Sequence, residues 1–291
     1  MMNKSSSGPP RRPLRSALFV PASKPRAIEK AAGLGADMLV LDLEDAVGPD
    51  EKAEARENVF RALDLWAGSG AVRTVRINAL DTQWGAADLR AAVRADAILL
   101  PKVEEKRHIQ DARAALNAHA AHAALWAMIE TPLGVMNLPE IASASVYGLS
   151  GLMAGVNDLS KELRCSLEAG REAILAHLAA IICASRAHDL RVLDGVYNRF
   201  QDVEGFREET AQGKRLGFDG KSLIHPSQVE LANIAFGPSP EEMDRARKVV
   251  EAFADPNNAG KGVIAVEGDM VERLHLDAAR ALLAAAGGND A

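Results

Sequence analysis

The sequence predicts an α/β fold, a (β/α)8 barrel with a small C-terminal helical extension. Short aliphatic and β-branched runs alternate with longer amphipathic stretches, and eight such pairs fit into about 240 residues. Nearly every short run also ends in a charged or amide side chain. This count, this size and these polar strand ends are typical of a (β/α)8 barrel. A doubly wound open sheet is the alternative, because strand order cannot be read from one sequence.

The predicted strands share a short apolar core bounded by turn residues or charges. They are Ala17–Pro21, Met38–Asp42, Arg73–Ile77, Ala97–Leu100, Leu125–Ile129, Gly148–Ala154, Arg191–Val196 and Phe218–Leu223. Between the strands, apolar residues recur every three or four positions, which predicts helices. Examples of these helical stretches are Pro49–Trp66, Glu104–His119 and Leu167–Ala187. Pro132, directly after Thr131, is a helix-start signal that supports the assignment.

The chain is expected to divide into three parts. They are a disordered N-terminal lead, 1–14, the barrel, 15–237, and the C-terminal extension, 238–291. The lead is polar and lacks the apolar segment of a secretory signal. A mitochondrial address is the alternative, since the lead contains arginines, but it is short and rich in proline. The extension is expected to contain a helix to Ala254, a strand pair near Val263–Val266 and a helix from Val271 to Ala286. It is too short to hold a core of its own.

Composition excludes several classes of function. The net charge is −6, with 34 basic and 40 acidic residues, which argues against a general nucleic-acid binder. The two cysteines, Cys165 and Cys183, do not form a disulfide framework and fit a reducing compartment. No apolar run is long enough to span a bilayer. We therefore expect a cytoplasmic protein with neither a nucleic-acid nor a membrane partner.

Polar side chains follow almost every predicted strand, at the end where barrels of this kind carry their chemistry. In chain order they are Asp42, Glu44, Asp45, Arg76, Asn78, Lys102, Glu130, Asp158, Asp194, Tyr197, Asn198, Asp219, Lys221 and His225. A single acid after a strand often only caps the next helix, and a lone histidine beside a proline often only braces a helix start. The set as a whole predicts a polar site at the mouth.

Two of these acids predict a magnesium site. Glu130 and Asp158 end consecutive strands, and two converging carboxylates repel each other unless a cation lies between them. Two carboxylates with water and substrate oxygens are ligands that suit Mg²⁺. Zinc lacks a His or Cys cluster, and a serine nucleophile elbow is absent from the sequence. With Arg76 at the same mouth, the site suits a small oxo- or hydroxy-carboxylate.

Several segments together resemble one known family. They are RSALFVPASKPR, LVLDLEDAVGPDEKAEAR, VRIN, LLPKVE, MIETPLGV, AGVNDL, DGVYN and GFDGKSLIHPSQV. In content, order and spacing they are similar to the citrate lyase β-subunit-like (CitE-like) proteins of the HpcH/HpaI aldolase and citrate lyase superfamily. The resemblance runs from about Arg15 to the last helix. It implies a TIM barrel that uses Mg²⁺ to cleave or form a C–C bond in a β-hydroxyacyl thioester.

The resemblance also implies roles for individual residues at the mouth. Glu130 and Asp158 correspond to the metal ligands, and Arg76 to the residue that binds the oxo-acid. Glu44 and Asp45 lie where the family has acids near the metal, holding its waters or orienting the arginine.

Three basic residues near the first strand resemble the region that receives the phosphates of coenzyme A. They are Arg15, Lys24 and Arg26. Pro25 is expected to open a helix there, whose amide end attracts anions.

The sequence departs from the family at the acid–base residue. The family has an Asp in a C-terminal Gly-x-Met-[Ile/Val]-Asp segment, usually of the neighbouring subunit. This chain reads EGDMVERLHLD, with Glu272 at that position. A misplacement of about 1 Å can cost on the order of a hundredfold in rate. A second departure, Ala22 where the family has glycine, is expected to tighten the approach of the cofactor.

The resemblance implies an acyl-CoA lyase of the malyl-CoA or citramalyl-CoA type. Its products are acetyl-CoA or propionyl-CoA together with glyoxylate or pyruvate. Three alternatives stay open: a malyl-CoA thioesterase, a citrate lyase β subunit that acts on a citryl thioester of a carrier protein, and a binding homologue without turnover. The family also implies a homo-oligomer, a trimer or hexamer, in which the extension caps the neighbouring barrel.

Overall fold

The structure, a computed structural model, describes residues 12–116 and 122–287. Eight parallel strands form a closed barrel in chain order, and β8 returns to pair with β1. The barrel strands are β1 Ser16–Pro21, β2 Met38–Asp42, β3 Val72–Arg76, β4 Ala97–Leu100, β5 Ala124–Ile129, β6 Leu149–Ala154, β7 Arg191–Asp194 and β8 Gly220–Leu223. The predicted fold class is confirmed. An open sheet is excluded by the hydrogen-bonded pairing of the first and last strands.

Helices follow the strands as expected for β/α units. They are α1 Pro25–Ala31, α2 Lys52–Leu65, α3 Gly85–Ala91, α4 Lys106–Leu116, α5 Pro132–Met136, α6 Leu138–Ala142, α7 Val156–Leu163, α8 Glu168–Arg171, α9 Leu175–Ala187, α10 Val203–Leu216, α11 Ser227–Phe236, α12 Pro240–Ala254 and α13 Arg273–Gly287. The predicted single helix Leu167–Ala187 is wrong. Gly170 and Arg171 have φ angles of 73° and 62°, which end α8 before α9 begins.

Alternation along the strands produces two apolar layers. One face of each strand packs under the surrounding helices, and the other fills the barrel interior. The interior cluster is Leu14, Ala17, Met38, Val40, Ala97, Leu99, Trp126, Met128, Met153 and Leu193. Gly151 makes room for the largest member, because a Cβ at Gly151 would lie 2.5 Å from the indole ring of Trp126. The barrel interior is therefore a packed core.

The chain divides into two compact units, Leu14–Phe236 and a unit that contains Gly237 onward. In the second unit α12 and α13 accompany an antiparallel pair, β9 Val263–Val266 and β10 Asp269–Glu272. This unit has a small apolar core: Ala246, Val249, Ile264, Val266, Val271, Leu276 and Ala279. The expectation that the extension holds no core of its own is therefore wrong. The hairpin brings enough aliphatic residues against the two helices to form one.

Two expectations fall on chain that the structure does not describe. Most of the predicted disordered lead, 1–14, and the last residues of the predicted helix Glu104–His119 lie outside the described residues. Within the described part of the chain, no helix combines the length and apolar character needed to cross a membrane.

Candidate active site

A cavity of about 350 Å³ opens at the carboxyl ends of the barrel strands. Its polar wall contains Asp42, Arg76, Glu130 and Asp158, and its apolar wall includes Phe19, Met128, Val196 and Ile224. The strands deliver these groups to one place because parallel strands in a barrel all end on the same side. Four of the predicted acids, Asp42, Asp45, Glu130 and Asp158, thus line one cavity with Arg76.

Arg76, the last residue of β3, is fixed by Asp42, the last residue of β2. Its Nε donates to Asp42 Oδ1 at 2.7 Å and its Nη2 to Oδ2 at 2.6 Å. The backbone amides of Glu44 and Ala46 also donate to the same carboxylate, at 2.9 and 3.2 Å. The ring of Phe19 lies 5.0 Å from the guanidinium carbon. The guanidinium is therefore held in one orientation before any ligand arrives.

The remaining edge of the guanidinium faces further acids. Nη1 of Arg76 lies 2.9 Å from Glu44 Oε2 and 3.6 Å from Asp45 Oδ2. Glu44 is buried, whereas the Asp45 side chain is 61% exposed. Buried Lys52 fixes the loop that carries both acids, because its ammonium donates to the carbonyl oxygens of residues 43 and 44 at 2.9 and 3.0 Å. The acids that follow β2 thus surround the arginine.

Glu130 is held from two sides. Its Oε1 accepts the backbone N–H of Lys102 at 2.7 Å. On the other side Gly155 leaves room for the carboxylate, since a Cβ at Gly155 would lie 2.5 Å from Glu130 Oε2. Asp158 lines the same cavity from the first turn of α7, and Lys102 Nζ lies 3.5 Å from its Oδ2.

Two buried acids at the mouth have raised pKa values. Burial raises the pKa of Glu44 to about 8, despite the attraction of Arg76, and neighbouring acids add to the rise. Burial also raises the pKa of Glu130 to about 7, and repulsion by Asp158 adds to this rise. The hydrogen bond from the backbone N–H of Lys102 lowers the pKa but offsets only part of the rise. A cation bound beside these acids would stabilise their ionised forms and lower both pKa values.

The donor set fits a hard divalent cation. Glu44 Oε2 is buried and accepts no hydrogen bond in the described part of the chain, although Arg76 is near it. Oxygen ligands from two carboxylates, completed by water and substrate, suit Mg²⁺. Within residues 12–116 and 122–287, no three His, Cys, Asp or Glu side chains form a metal site by themselves. Glu130 and Asp158 line the same cavity, so two carboxylates are available there to such a cation.

The charged residues of the last two strands lie elsewhere. Asp194 and Lys221 are fully buried and contact each other at 3.0 Å, and Lys221 also reaches Glu209 of α10 at 2.8 Å. Arg171 donates to Asp194 at 2.7 Å. These side chains point outward from the strands, beneath α10, so the expectation that Asp194 and Lys221 join the mouth is wrong.

Two further mouth candidates also have structural roles. Asp219 precedes β8, and Arg186 and Arg191 approach it at 2.7 and 3.5 Å. His225 lies after β8, where its Nδ1 accepts the backbone N–H of Ser227 at 3.2 Å, at the start of α11. His225 therefore stabilises the start of α11, which is the structural role that the sequence left open for it.

The basic residues expected to receive coenzyme A are separated by the length of β1. Lys24 and Arg26 follow the carboxyl end of β1, are exposed, and form no ion pair within the described residues. Arg15 precedes β1, and its guanidinium donates two hydrogen bonds to Asp37, at 2.8 and 2.9 Å. A six-residue strand spans about 20 Å, so Arg15 lies at the opposite end of the barrel from the mouth. Contrary to the expectation, Arg15 therefore does not lie with Lys24 and Arg26 at the mouth.

Glu272 belongs to the second unit, where it ends β10. Its side chain is partly exposed, and its backbone N–H donates to His275 Nδ1 at 2.9 Å. Sequence reasoning missed how closely Gly155 contacts Glu130 and that Phe19 and Met128 form the apolar wall. A glycine directly after a strand was the available signal for the first of these.

Comparisons with known proteins identify the family of the chain. Residues 15–226 match the model of the HpcH/HpaI aldolase/citrate lyase family, and residues 167–287 match a C–C bond lyase of the TIM-barrel fold. The (3S)-malyl-CoA thioesterase of Cereibacter sphaeroides is 46% identical over 276 residues, which covers 94% of this chain and 95% of the relative. The citrate lyase β subunit of Escherichia coli is 37% identical over 281 residues, which covers 94% and 93%.

A solved structure matches equally broadly. It is the CitE protein of Mycobacterium tuberculosis in complex with magnesium, acetoacetate and coenzyme A. The TM-score is 0.78 at 32% identity, and the match covers 95% of this chain and 98% of that one. Because the family model spans most of the barrel and relatives match along almost the whole length, the chain belongs to the HpcH/HpaI aldolase/citrate lyase family.

Proposed function

We propose that this protein is a Mg²⁺-dependent enzyme that acts on a β-hydroxyacyl-CoA thioester of the malyl-CoA class. The observation that carries the proposal is that Arg76, Glu130 and Asp158 line one small cavity at the barrel mouth. A fixed guanidinium and two carboxylates able to hold a divalent cation suit a substrate end with a carboxylate beside a hydroxyl.

The reaction that we propose first is hydrolysis of the thioester, which gives free CoA and a malate-type hydroxy-dicarboxylate. The (3S)-malyl-CoA thioesterase that matches at 46% identity over nearly the full length of both chains supports this choice. C–C bond cleavage to acetyl-CoA and glyoxylate is the second candidate. It is supported by the match of residues 167–287 to a C–C bond lyase and by the citrate lyase β subunit.

The mouth residues would bind and orient the substrate. Arg76, immobilised by Asp42, would pair with the terminal carboxylate and offset negative charge on the neighbouring oxygen. Glu130 and Asp158 would hold Mg²⁺, which when bound polarises substrate oxygens. The apolar wall of Phe19 and Met128 would exclude water from the carbon chain.

Glu272 is proposed as the acid–base group, whether contributed by the same chain or by a neighbouring subunit. In hydrolysis its carboxylate would take a proton from the attacking water as oxygen bonds to the thioester carbon. It would then return that proton to the departing sulfur, so that free thiol leaves. One carboxylate thus balances both proton transfers.

Lys24 and Arg26 are proposed to bind the phosphates of coenzyme A. Both are exposed beside the carboxyl end of β1 and have no ion-pair partner among the described residues, so their charges face solvent. We further propose a cytoplasmic homo-oligomer, a trimer or hexamer, in which the extension caps a neighbouring barrel. Sedimentation of the purified protein tests the oligomer.

The test of function is a product analysis. Purified protein, Mg²⁺ and malyl-CoA are incubated, and the products are identified by mass. Free CoA with malate supports hydrolysis, and acetyl-CoA with glyoxylate supports the lyase. Chelation and Glu130→Gln should each abolish turnover, whereas Glu162→Gln, an exposed acid on α7, should leave it unchanged. Full activity in excess chelator, or no product from a panel of β-hydroxyacyl-CoA thioesters, would overturn the proposal.

A further inference from the structure

Lys102 has an unusual backbone conformation at the mouth. It follows β4 and Pro101 with a φ of +47°, in the left-handed region that residues with a Cβ adopt at a cost of roughly 1 kcal/mol. Such strain persists only where the surroundings fix it. The surroundings of Lys102 are the acids of the candidate metal site.

The left-handed turn directs the backbone amide of Lys102 at Glu130. The N–H donates to Glu130 Oε1 at 2.7 Å, and Glu130 is 3% exposed. A charge-assisted bond from a backbone donor fixes that oxygen without requiring the side chain. The main chain of residue 102 therefore orients one proposed metal ligand. The lysine side chain takes no part in this hydrogen bond and can interact with other acids.

The ammonium of the same residue reaches two other acids. Lys102 Nζ lies 3.5 Å from Asp158 Oδ2 and 3.8 Å from Glu44 Oε1. These distances are those of ion pairs rather than of tight hydrogen bonds, and the side chain is 44% exposed. The ammonium therefore offsets the charge of the acids and is free to move out toward solvent.

We infer that Lys102 is a built-in counter-ion of the metal site, which stabilises the carboxylates when Mg²⁺ is absent and competes with Mg²⁺ for them. The inference rests on the proposed function, because it takes Glu130 and Asp158 as the metal ligands. It assigns Lys102 a positioning role for the site rather than a catalytic one.

Two linked consequences follow. Without Lys102 the metal-free site carries unbalanced negative charge, so the metal-free protein becomes less stable. The Mg²⁺ complex is affected less, because the ion supplies the missing charge. The variant therefore loses more stability in the metal-free state than in the Mg²⁺ complex. Because folding and Mg²⁺ binding form one thermodynamic cycle, this difference in stability equals the gain in Mg²⁺ binding free energy.

The experiment compares Lys102→Met with wild type by two readouts that do not need turnover. One is the dissociation constant of Mg²⁺ from calorimetric titration, and the other is the melting temperature in chelator and in saturating Mg²⁺. We expect Lys102→Met to bind Mg²⁺ roughly two- to fivefold more tightly, the range of an exposed ion pair. In chelator it should melt about 1–3 °C lower, and saturating Mg²⁺ should remove that difference.

Three further variants separate charge from backbone. Lys102→Arg keeps the charge and should bind Mg²⁺ within about twofold of wild type. Lys102→Gly removes the charge but adopts the left-handed turn readily, so it should match Lys102→Met in affinity. Lys30→Met, at an exposed lysine in the last turn of α1, makes the same charge change elsewhere and should alter neither readout.

The outcomes are distinguishable from failure of the proposed function. Unchanged or weaker Mg²⁺ binding by Lys102→Met and Lys102→Gly, with normal binding by wild type, would overturn the counter-ion role alone. Absence of Mg²⁺ binding by wild type would overturn the metal site and this role with it. Tighter binding in both variants, with Lys102→Arg like wild type, supports it.

Discussion

Asp42 and Arg76 form a two-bond ion pair at adjacent strand ends, with Nε–Oδ1 at 2.7 Å and Nη2–Oδ2 at 2.6 Å. Both side chains are buried, at 2% and 7% exposure. Two parallel bonds fix the plane of the guanidinium, so only Nη1 faces the other acids and the cavity. Asp42 therefore orients the arginine and is not itself expected to react.

The first prediction concerns this pair. Asp42→Asn removes one charge and leaves the other buried, which should lower the free energy of unfolding by about 3 kcal/mol in urea denaturation. It should also raise KM for malyl-CoA, because Arg76 is no longer held. Asp64→Asn breaks an exposed pair with Arg94 and should cost less than about 1 kcal/mol. Equal losses in the two variants would contradict the buried role of Asp42.

The second prediction concerns the glycine beside the metal ligand. In Gly155→Ala the new Cβ would lie 2.5 Å from Glu130 Oε2, so Glu130 must shift. We expect Mg²⁺ binding to weaken at least tenfold, measured by calorimetry, and stability to fall by about 1–3 kcal/mol. Gly68→Ala, with nothing near the added carbon, serves as the control and should change neither quantity. Normal Mg²⁺ affinity in Gly155→Ala would argue against Glu130 as a ligand.

The sequence predicted the number and the approximate bounds of the barrel strands well, because short aliphatic runs bounded by charges mark each of them. Their order around the barrel came only from the structure. It also predicted that Arg76, Glu130 and Asp158 line one cavity, since each lies at or just after a strand end. These residues were predictable because parallel strands in a barrel end on one side, whatever their exact boundaries.

The errors arise where the direction of a side chain matters. Lys221 is the second residue of β8, and the face on which it lies depends on where the strand begins. Arg15 lies near Lys24 and Arg26 in sequence but at the other end of β1 in space. The left-handed backbone of Lys102 is invisible in the sequence, because lysine has no preference for that conformation.

The third prediction tests the coenzyme site. Lys24→Ala combined with Arg26→Ala should raise KM for malyl-CoA roughly tenfold, with a smaller effect at high salt, because exposed charges are screened. The value of kcat and the melting temperature should be unchanged. Arg15→Ala provides the contrast: it should leave KM unchanged and lower stability, since its guanidinium holds Asp37. A larger rise in KM for Arg15→Ala would reverse the assignment.

The fourth prediction concerns pH and the buried network beneath α10. Burial alone would raise the pKa of Asp194, but Lys221 and Arg171 outweigh it and hold the pKa below its ordinary value of 3.8. A lowered folded pKa stabilises the fold at pH values above 3.8, and that stability is lost as pH falls toward the folded pKa. Wild-type stability should therefore drop below about pH 4.

Asp194→Asn tests this assignment by urea denaturation across pH. It should lose about 3 kcal/mol at neutral pH, because two buried cations lose one acid and share only Glu209. Its stability should fall less steeply below about pH 4. If the single variant does not fold, Asp194→Asn combined with Lys221→Met removes one charge of each sign and should restore folding. If the stability of these variants falls as steeply below pH 4 as that of wild type, other carboxylates cause the loss of stability in acid.

The fifth prediction concerns Glu272. If its carboxylate moves the proton, Glu272→Gln should lower kcat at least about a hundredfold while KM and the melting temperature stay near wild type. Asp277→Asn, an exposed acid one turn into α13, is the matched control and should retain full activity. Glu272→Asp shortens the side chain by one methylene and restores the residue implied by the family resemblance. It should therefore raise the share of acetyl-CoA and glyoxylate among the products. Unchanged kcat in Glu272→Gln would mean that another group transfers the proton, and hydrolysis would then have to proceed without this residue.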